Sequence, residues 1–233
     1  MKIAVMSDIH DNVWKLEAAL TKLRELQPDA LICCGDLCSP FIVGLMTRAL
    51  HDEQAGLVVP IHVVFGNNDA DLYRITAQAK PDRLIFYGEL AEFVVQDERL
   101  RPRHEFVEQG TNRDTFFDPA VQGKRIAVNH FNYLARPLAA SGKYDAVFYG
   151  HNHKRRHERL GQCDIINPGA LMGYDPTASS PAERYIDATF VVYDTADGSA
   201  PQWYTVVAEV EGGAVRQVVR EYNHVPVETF SLS

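Results

Sequence analysis

Residues 2–36 read KIAVMSDIHDNVWKLEAALTKLRELQPDALICCGD. The short apolar run from Lys2 to Ser7 has the length of a buried strand and closes on Asp8-Ile9-His10. Val13 to Leu26 then carries Leu16, Leu20 and Leu23 at helical spacing, behind Asp11 or Asn12 as a cap. Ala30 to Cys34 is a second apolar strand, and it closes on Gly35-Asp36. Strand, helix, strand is the opening of a βαβ unit, and both strands end in side chains that can hold a ligand. In open α/β sheets such strand ends converge on one edge, where ligands bind.

The same ending recurs along the chain. Phe41 to Leu50 predicts a second helix, and Ile61 to Phe65 a third strand that ends in Gly66-Asn67-Asn68-Asp69. Ala70 to Ala79 predicts a third helix, stopped by Pro81. The second half is richer in strands: Leu84–Tyr87, Leu90–Val95, Arg125–Asn129, Ala146–Tyr149, Asp164–Asn167, Thr189–Asp194, Trp203–Glu209 and Val215–Tyr222. Arg136 to Gly142 reads as a helix end. A βαβ first half and a strand-based second half predict an α/β fold in which two mixed sheets pack as a sandwich flanked by helices.

At 233 residues, with no repeat, linker or low-complexity segment, residues 1–233 read as a single domain. The charged stretch at about 97–120 predicts a rim insertion: a lid, an extra hairpin or a helix. The residues after about 200 predict a β-rich C-terminal extension. A net charge of −8 repels nucleic acid at long range and offers no basic patch for a membrane. A small substrate is favoured over a nucleic-acid polymer, and a homo-oligomer is left open. The first apolar run is far shorter than the ~7–15 residues of a secretory signal, and no stretch approaches the ~20 of a membrane span, so a cytoplasmic protein is expected. Cys33 and Cys34 read as reduced packing residues of a strand, and the spacing of the four cysteines does not match a zinc knuckle.

Four of the nine histidines follow apolar runs beside Asp, Asn or Gly: His10, His130, His151 and His153. With Asp8, Asp36 and Asn67 they make seven candidate donors at strand ends. One ion cannot use seven, whereas two sharing a carboxylate can. Such ion pairs, about 3.5–4 Å apart, serve the hydrolysis of phosphate esters.

The ordered motifs are Asp8-x-His10, Gly35-Asp36, Gly66-Asn67-x-Asp69, a strand-end His130, and Gly150-His151-x-His153 followed by Asn167-Pro168-Gly169. From about Lys2 to Gly169 this pattern resembles the calcineurin-like metallophosphoesterases, and within them the compact single-domain phosphodiesterases of bacteria and archaea. The resemblance implies the four-layer α/β/β/α metallophosphoesterase fold. It implies that Asp8, His10 and His153 hold one metal, that Asn67, His130 and His151 hold a second, and that Asp36 bridges them. It implies hydrolysis by a metal-bridging hydroxide, without a covalent enzyme intermediate. Carboxylate and amide oxygens with imidazole nitrogens suit manganese first, with iron, zinc, cobalt or nickel as alternatives, and not calcium.

The chain departs from the family pattern where it matters for proton transfer. In many larger members the residue after the ligating Asn is a His that protonates the leaving group; here it is Asn68, and an amide cannot be a general acid at neutral pH. A preference for phosphodiesters with stable leaving groups follows. Phe131 replaces the family's Gly after the strand-end His, and Asp11 replaces the Gly after His10, so both are expected to reshape the pocket rim. Asn68, Asp69 and Asn12 are candidates for contacts around the ions or the substrate, with Asn12 equally suited to capping the first helix. Arg155 and Arg156 are weaker substrate-binding candidates with Phe131, the alternative being a charged strand edge. His51, His62, His104, His157 and His224 read as ordinary surface or core residues. The competing function classes are a phosphomonoesterase and a non-catalytic scaffold with this fold, as in the retromer subunit; the complete set of seven donors favours an enzyme.

Overall fold

The computed structural model describes residues 1–196, 199–222 and 225–231; His224 lies outside the described residues. The chain opens with β1 (Lys2–Met6), α1 (Val13–Leu26), β2 (Ala30–Cys33), α2 (Pro40–Leu50), β3 (Ile61–Val63), α3 (Leu72–Thr76) and β4 (Leu84–Phe86). These four strands run parallel, with Met6 opposite Cys33 and Cys33 opposite Val63. Three consecutive strands therefore stop at one level, which is what brings the loops behind them together. All of β2 is buried, as a strand covered on both faces must be.

Next come β5 (Leu90–Gln96), β6 (Arg99–Pro102), β7 (Arg125–Asn129), α4 (Asn132–Ala140), β8 (Ala146–Phe148), β9 (Arg156–Leu160) and β10 (Cys163–Asn167). After them β11 (Ala188–Asp194), β12 (Gln202–Glu211) and β13 (Ala214–Glu221) rejoin the first sheet, and β14 (Val227–Phe230) crosses to the second. The first sheet is ordered β13-β12-β11-β1-β2-β3-β4 and the second β14-β9-β10-β8-β7-β5-β6, both mixed and seven-stranded. In the second sheet β7, β8 and β10 are parallel neighbours, so Val128, Phe148 and Ile166 also end together.

The layers follow from alternation along each strand. Ile3, Val5 and Ile32 of the first sheet meet Phe93, Val128 and Phe148 of the second in the central core. Ala4, Met6 and Leu31 on the other face pack against Leu16 and Leu20 of α1 and Ile42 and Met46 of α2. Ala127, Val147 and Ile165 cover the far side of the second sheet with Ala135 and Ala139 of α4. This is the α/β sandwich of two mixed sheets flanked by helices. Among the described residues no helix is long and apolar enough to cross a membrane.

Several local expectations change. The third helix is shorter than residues 70–79, because Asp71 adopts a left-handed φ of 47° and caps Arg74 N, delaying the start to Leu72. The helix read only as an end near Arg136 begins at Asn132 and contains Pro137, which forgoes one backbone hydrogen bond inside it. Of the alternatives for the 97–120 stretch, the extra hairpin is present: after β6 and a 3-10 turn at Arg103–Phe106, Val107–Glu108 pairs antiparallel with Arg113–Asp114, and Phe116 buries itself on the outer face of the second sheet. Glu98, Arg99 and Glu105 line a cavity with Met1, Asp29 and Pro60, at the strand starts and so at the opposite end of the first sheet from Asp8 and Asp36. A lid over the strand ends is not what this segment makes. Arg101 is paired with Glu105, and Arg103 with Glu92 and Asp114.

Candidate metal centre

The loops behind β1, β2, β3, β7 and β8 meet at one edge of the sandwich. Asp8 and Asp36 are buried there, at 0% and 1% exposure, and His10 Nε2 lies 3.4 Å from Asp36 Oδ2 and 4.0 Å from Asp8 Oδ1. His153 Nε2 approaches Asp8 Oδ1 to 3.4 Å, and His130 Nε2 approaches Asp36 Oδ2 to 3.4 Å. Asn67 Oδ1 is 3.1 Å from His130 Nε2 and 2.8 Å from His151 Nδ1. All seven candidate donors therefore share one pocket. Two trios, Asp8–His10–His153 and Asp8–Asp36–His130, have their donor atoms within 4.8 Å of one another.

Backbone geometry makes this convergence. Asp8, His10, Asp36, His151 and His153 all have positive φ, between 43° and 74°. Non-glycine residues seldom adopt that region, and clusters of them mark sites where structure is spent on function. Two glycines supply the room. A Cβ on Gly66 would stand 2.2 Å from Asp36 Oδ1, and one on Gly150 1.9 Å from Ser7 Oγ and 2.7 Å from Asp8 Oδ2.

The imidazoles are oriented from behind. His130 Nδ1–H donates to the Cys34 carbonyl at 2.8 Å and His153 Nδ1–H to the Tyr174 carbonyl at 2.6 Å. Those bonds fix the tautomer that leaves a lone pair on each Nε2, the arrangement found behind metal-ligating histidines. His10 Nε2 is buried without a hydrogen-bond partner. An orphaned buried nitrogen aimed between two carboxylates fits a cation between them. Two carboxylates, one amide oxygen and four imidazoles are also the donor chemistry that first-row divalent ions accept.

Asn68 and Asp69 act on the carboxylate loop. Asn68 N donates to Asp36 Oδ1 and Asn68 Nδ2 to Asp36 Oδ2, each at 2.8 Å. Burial pushes the Asp36 carboxyl up, but His130 in its protonated form and the two bonds from Asn68 outweigh it and hold the group well below the usual carboxylate range. Asp69 accepts four backbone N–H bonds, from Leu37 and Gly66 at 2.7 Å and from Asp36 and Cys38 at 3.0 Å. Its burial still raises its own pKa, against those donors. Asp11 accepts from Ser39 N at 3.0 Å and Ser39 Oγ at 2.6 Å, tying the first loop to the second. Asn167 donates to the Gly150 carbonyl at 3.1 Å and to Asn152 Oδ1 at 2.8 Å, so it backs the Gly150–His153 loop.

Other candidates are placed elsewhere. Asn12 caps α1, accepting from Lys15 N at 3.3 Å while its amide donates to the Met172 carbonyl at 3.1 Å. Arg155 pairs with Asp187 at 3.0 Å and lies over the Tyr222 ring, and Arg156 pairs with Glu158 and Glu228 at 2.6 Å. Their charges are taken up by Asp187, Glu158 and Glu228. Phe131 stands edge-on to His130 and His151, with ring centroids 5.2 and 5.3 Å apart. All four cysteines are free thiols.

Known proteins are similar to this chain in sequence and fold. A phosphodiesterase of Methanocaldococcus jannaschii is 27% identical over 176 residues, 75% of this chain and 86% of that protein. The structure of an archaeal phosphodiesterase superposes with a TM-score of 0.62 at 23% identity, covering 88% of this chain and 99% of the other. The fold also resembles the phosphoesterase Yfce of E. coli (TM-score 0.52, 16% identity, 94% and 98% covered). It likewise resembles wild-type Vps29 of Entamoeba histolytica complexed with Zn²⁺ (0.51, 16%, 96% and 100%). Residues 1–198 match the calcineurin-like phosphoesterase superfamily domain, and the chain belongs to that family.

Proposed function

We propose that the chain is a metal-dependent phosphodiesterase that hydrolyses small phosphodiesters at a centre of two divalent ions. The observation that carries this reading is the buried His10 Nε2, held 3.4 Å from Asp36 and 4.0 Å from Asp8 with no hydrogen-bond partner of its own. Asp8, His10 and His153 would hold one ion, Asn67, His130 and His151 the other, and Asp36 would bridge them. Manganese is the first candidate, with iron, zinc, cobalt or nickel also suited to these donors. Two such ions supply a Lewis-acid clamp on the phosphoryl oxygens and lower the pKa of a water toward neutrality.

The chain's own residues set the rest. Two carboxylates cannot neutralise two dications, so the pocket attracts a phosphate although the molecule carries a net charge of −8. That overall charge favours a small phosphoester over nucleic acid. Asn68 keeps both oxygens of Asp36 in place, and Asp69 holds the loop that presents it. Neither Asn68 nor the committed arginines can hand a proton to a departing alkoxide, so esters with stable leaving groups are the better substrates.

The test is to strip the protein of metal, restore Mn²⁺, and compare an aryl phosphodiester with an aryl phosphomonoester. Metal-dependent turnover with the diester ahead is the predicted result. With metal bound and neither ester turned over, the scaffold reading replaces this one, and an His151→Ala variant with full activity would sink the assignment of donors.

A further inference from the structure

Phe131 sits directly after His130, at the N-cap of α4, where it makes no side-chain capping bond. Ser, Thr, Asp and Asn are favoured at that position because they satisfy a free backbone N–H. The helix thus forgoes a cap for a ring. That ring meets His130 at 82° and His151 at 61°, and Tyr133 stacks on it with centroids 5.4 Å apart and planes 29° from parallel. Helix packing does not require this pair: α4 buries Ala135 and Ala139, whereas Tyr133 is 63% exposed. A partly exposed ring therefore touches two donors that would grip a phosphate, and a second, exposed ring stacks on it from outside.

We propose that Phe131 and Tyr133 form a stacking platform that selects phosphodiesters carrying a flat aromatic group on one ester arm, an aryl ring or a nucleobase. The proposal rests on the phosphodiesterase reading and adds the class of substrate. A phosphate lodged at His130 and His151 points an ester arm across Phe131, and a planar group there covers apolar ring that is otherwise open to water. Arg136, Arg155 and Arg156 are engaged by Glu158, Asp187 and Glu228, so these three cations are not free to take a second anion on that arm. Stacking of a base on an aromatic side chain is worth about 1–3 kcal/mol. A tenfold preference corresponds to about 1.4 kcal/mol, so the platform is expected to give roughly tenfold.

The experiment is calorimetric binding to Mn²⁺-loaded protein with pairs of ligands that share a phosphoryl group. Phenylphosphonate against methylphosphonate reads an aryl arm, and a nucleoside 5′-monophosphate against ribose 5-phosphate reads a nucleobase. Wild-type protein should prefer the aromatic member of at least one pair by about tenfold. Tyr133→Ala, whose side chain is exposed, and Phe131→Leu should bring that ratio toward one; the pair that responds names the source of the ring. An unchanged ratio in both variants, or no preference in wild type, overturns the platform while leaving the ion centre standing. No binding of any of the four ligands to metal-loaded protein would instead overturn the ion-centre reading.

Discussion

Replacing Asp69 by Ala should unfold the loop that presents Asp36. The Asp69 carboxylate accepts the backbone N–H groups of Asp36, Leu37, Cys38 and Gly66. Cys38 and Gly66 are partly exposed and can turn to water, but Asp36 and Leu37 are 1% and 0% exposed. Those two donors would be left unsatisfied in the interior, each at a cost of about 1–3 kcal/mol. The loop also holds Asp36 and Cys38 at φ of 56° and 75°, which it has no reason to keep once the carboxylate is gone. A loss of about 4 kcal/mol follows, or roughly 8–16 °C in Tm for a chain of this size. Affinity for Mn²⁺ should fall at least tenfold, the usual effect of removing a group that supports ligands. Asp69→Asn keeps the volume but turns an amide N–H₂ toward two of the donors, so it should lose nearly as much. Thermal melts with and without Mn²⁺ provide the assay. A Tm within 2–3 °C of wild type and unchanged Mn²⁺ affinity would refute the reasoning.

Asn68→His should raise the rate on phosphodiesters with poor alkoxide leaving groups by about tenfold or more, since general-acid help is worth up to about 10⁴-fold; an unchanged rate on those esters, beside an aryl control, removes the leaving-group explanation. Gly150→Ala drives a Cβ into Ser7 Oγ and Asp8 Oδ2, and kcat/KM should fall about 100-fold, the cost of a displacement near 1 Å; a fully active variant would show that Asp8 is not fixed there. His62 is buried against Tyr87, and burial lowers its pKa from 6.5 to about 4. The unfolded chain then binds the extra proton between those values, so this contribution is present above pH 6.5 and is lost as pH falls toward 4. Urea unfolding at pH 7 and pH 5 should differ by about 2 kcal/mol more in wild type than in His62→Gln, and an equal difference counts against it.

The first half of the fold was legible because its strands are short apolar runs covered on both faces and its helices carry leucines at helical spacing. β9 was not, since Arg156–Leu160 reads as charge; Glu158 is buried only because Arg136 and Arg156 pair with it. β14 depends on a parallel pairing with β9 about 70 residues away, which no local pattern announces. The start of α4 at Asn132 was not legible either, and the helix carries Pro137, a residue that normally argues against a helix interior. The residue types and their place after strands were enough to pick out seven side chains that the fold brings together. The tasks of their neighbours were not legible. Asn68 looked like a missing acid, and only its two bonds to Asp36 show that it holds a carboxylate. Arg155 and Arg156 adjoin His153 in sequence, yet Asp187 and Tyr222 engage the first and Glu158 and Glu228 the second.

The central claim is that Asp36 joins two ions. The most direct test is a crystal of Mn²⁺-loaded protein measured with anomalous scattering at the manganese edge. Two peaks about 3.5–4 Å apart, one beside Asp8, His10 and His153, the other beside Asn67, His130 and His151, with Asp36 between them, is the predicted result. A single peak, or peaks that leave Asp36 uncoordinated, would contradict it.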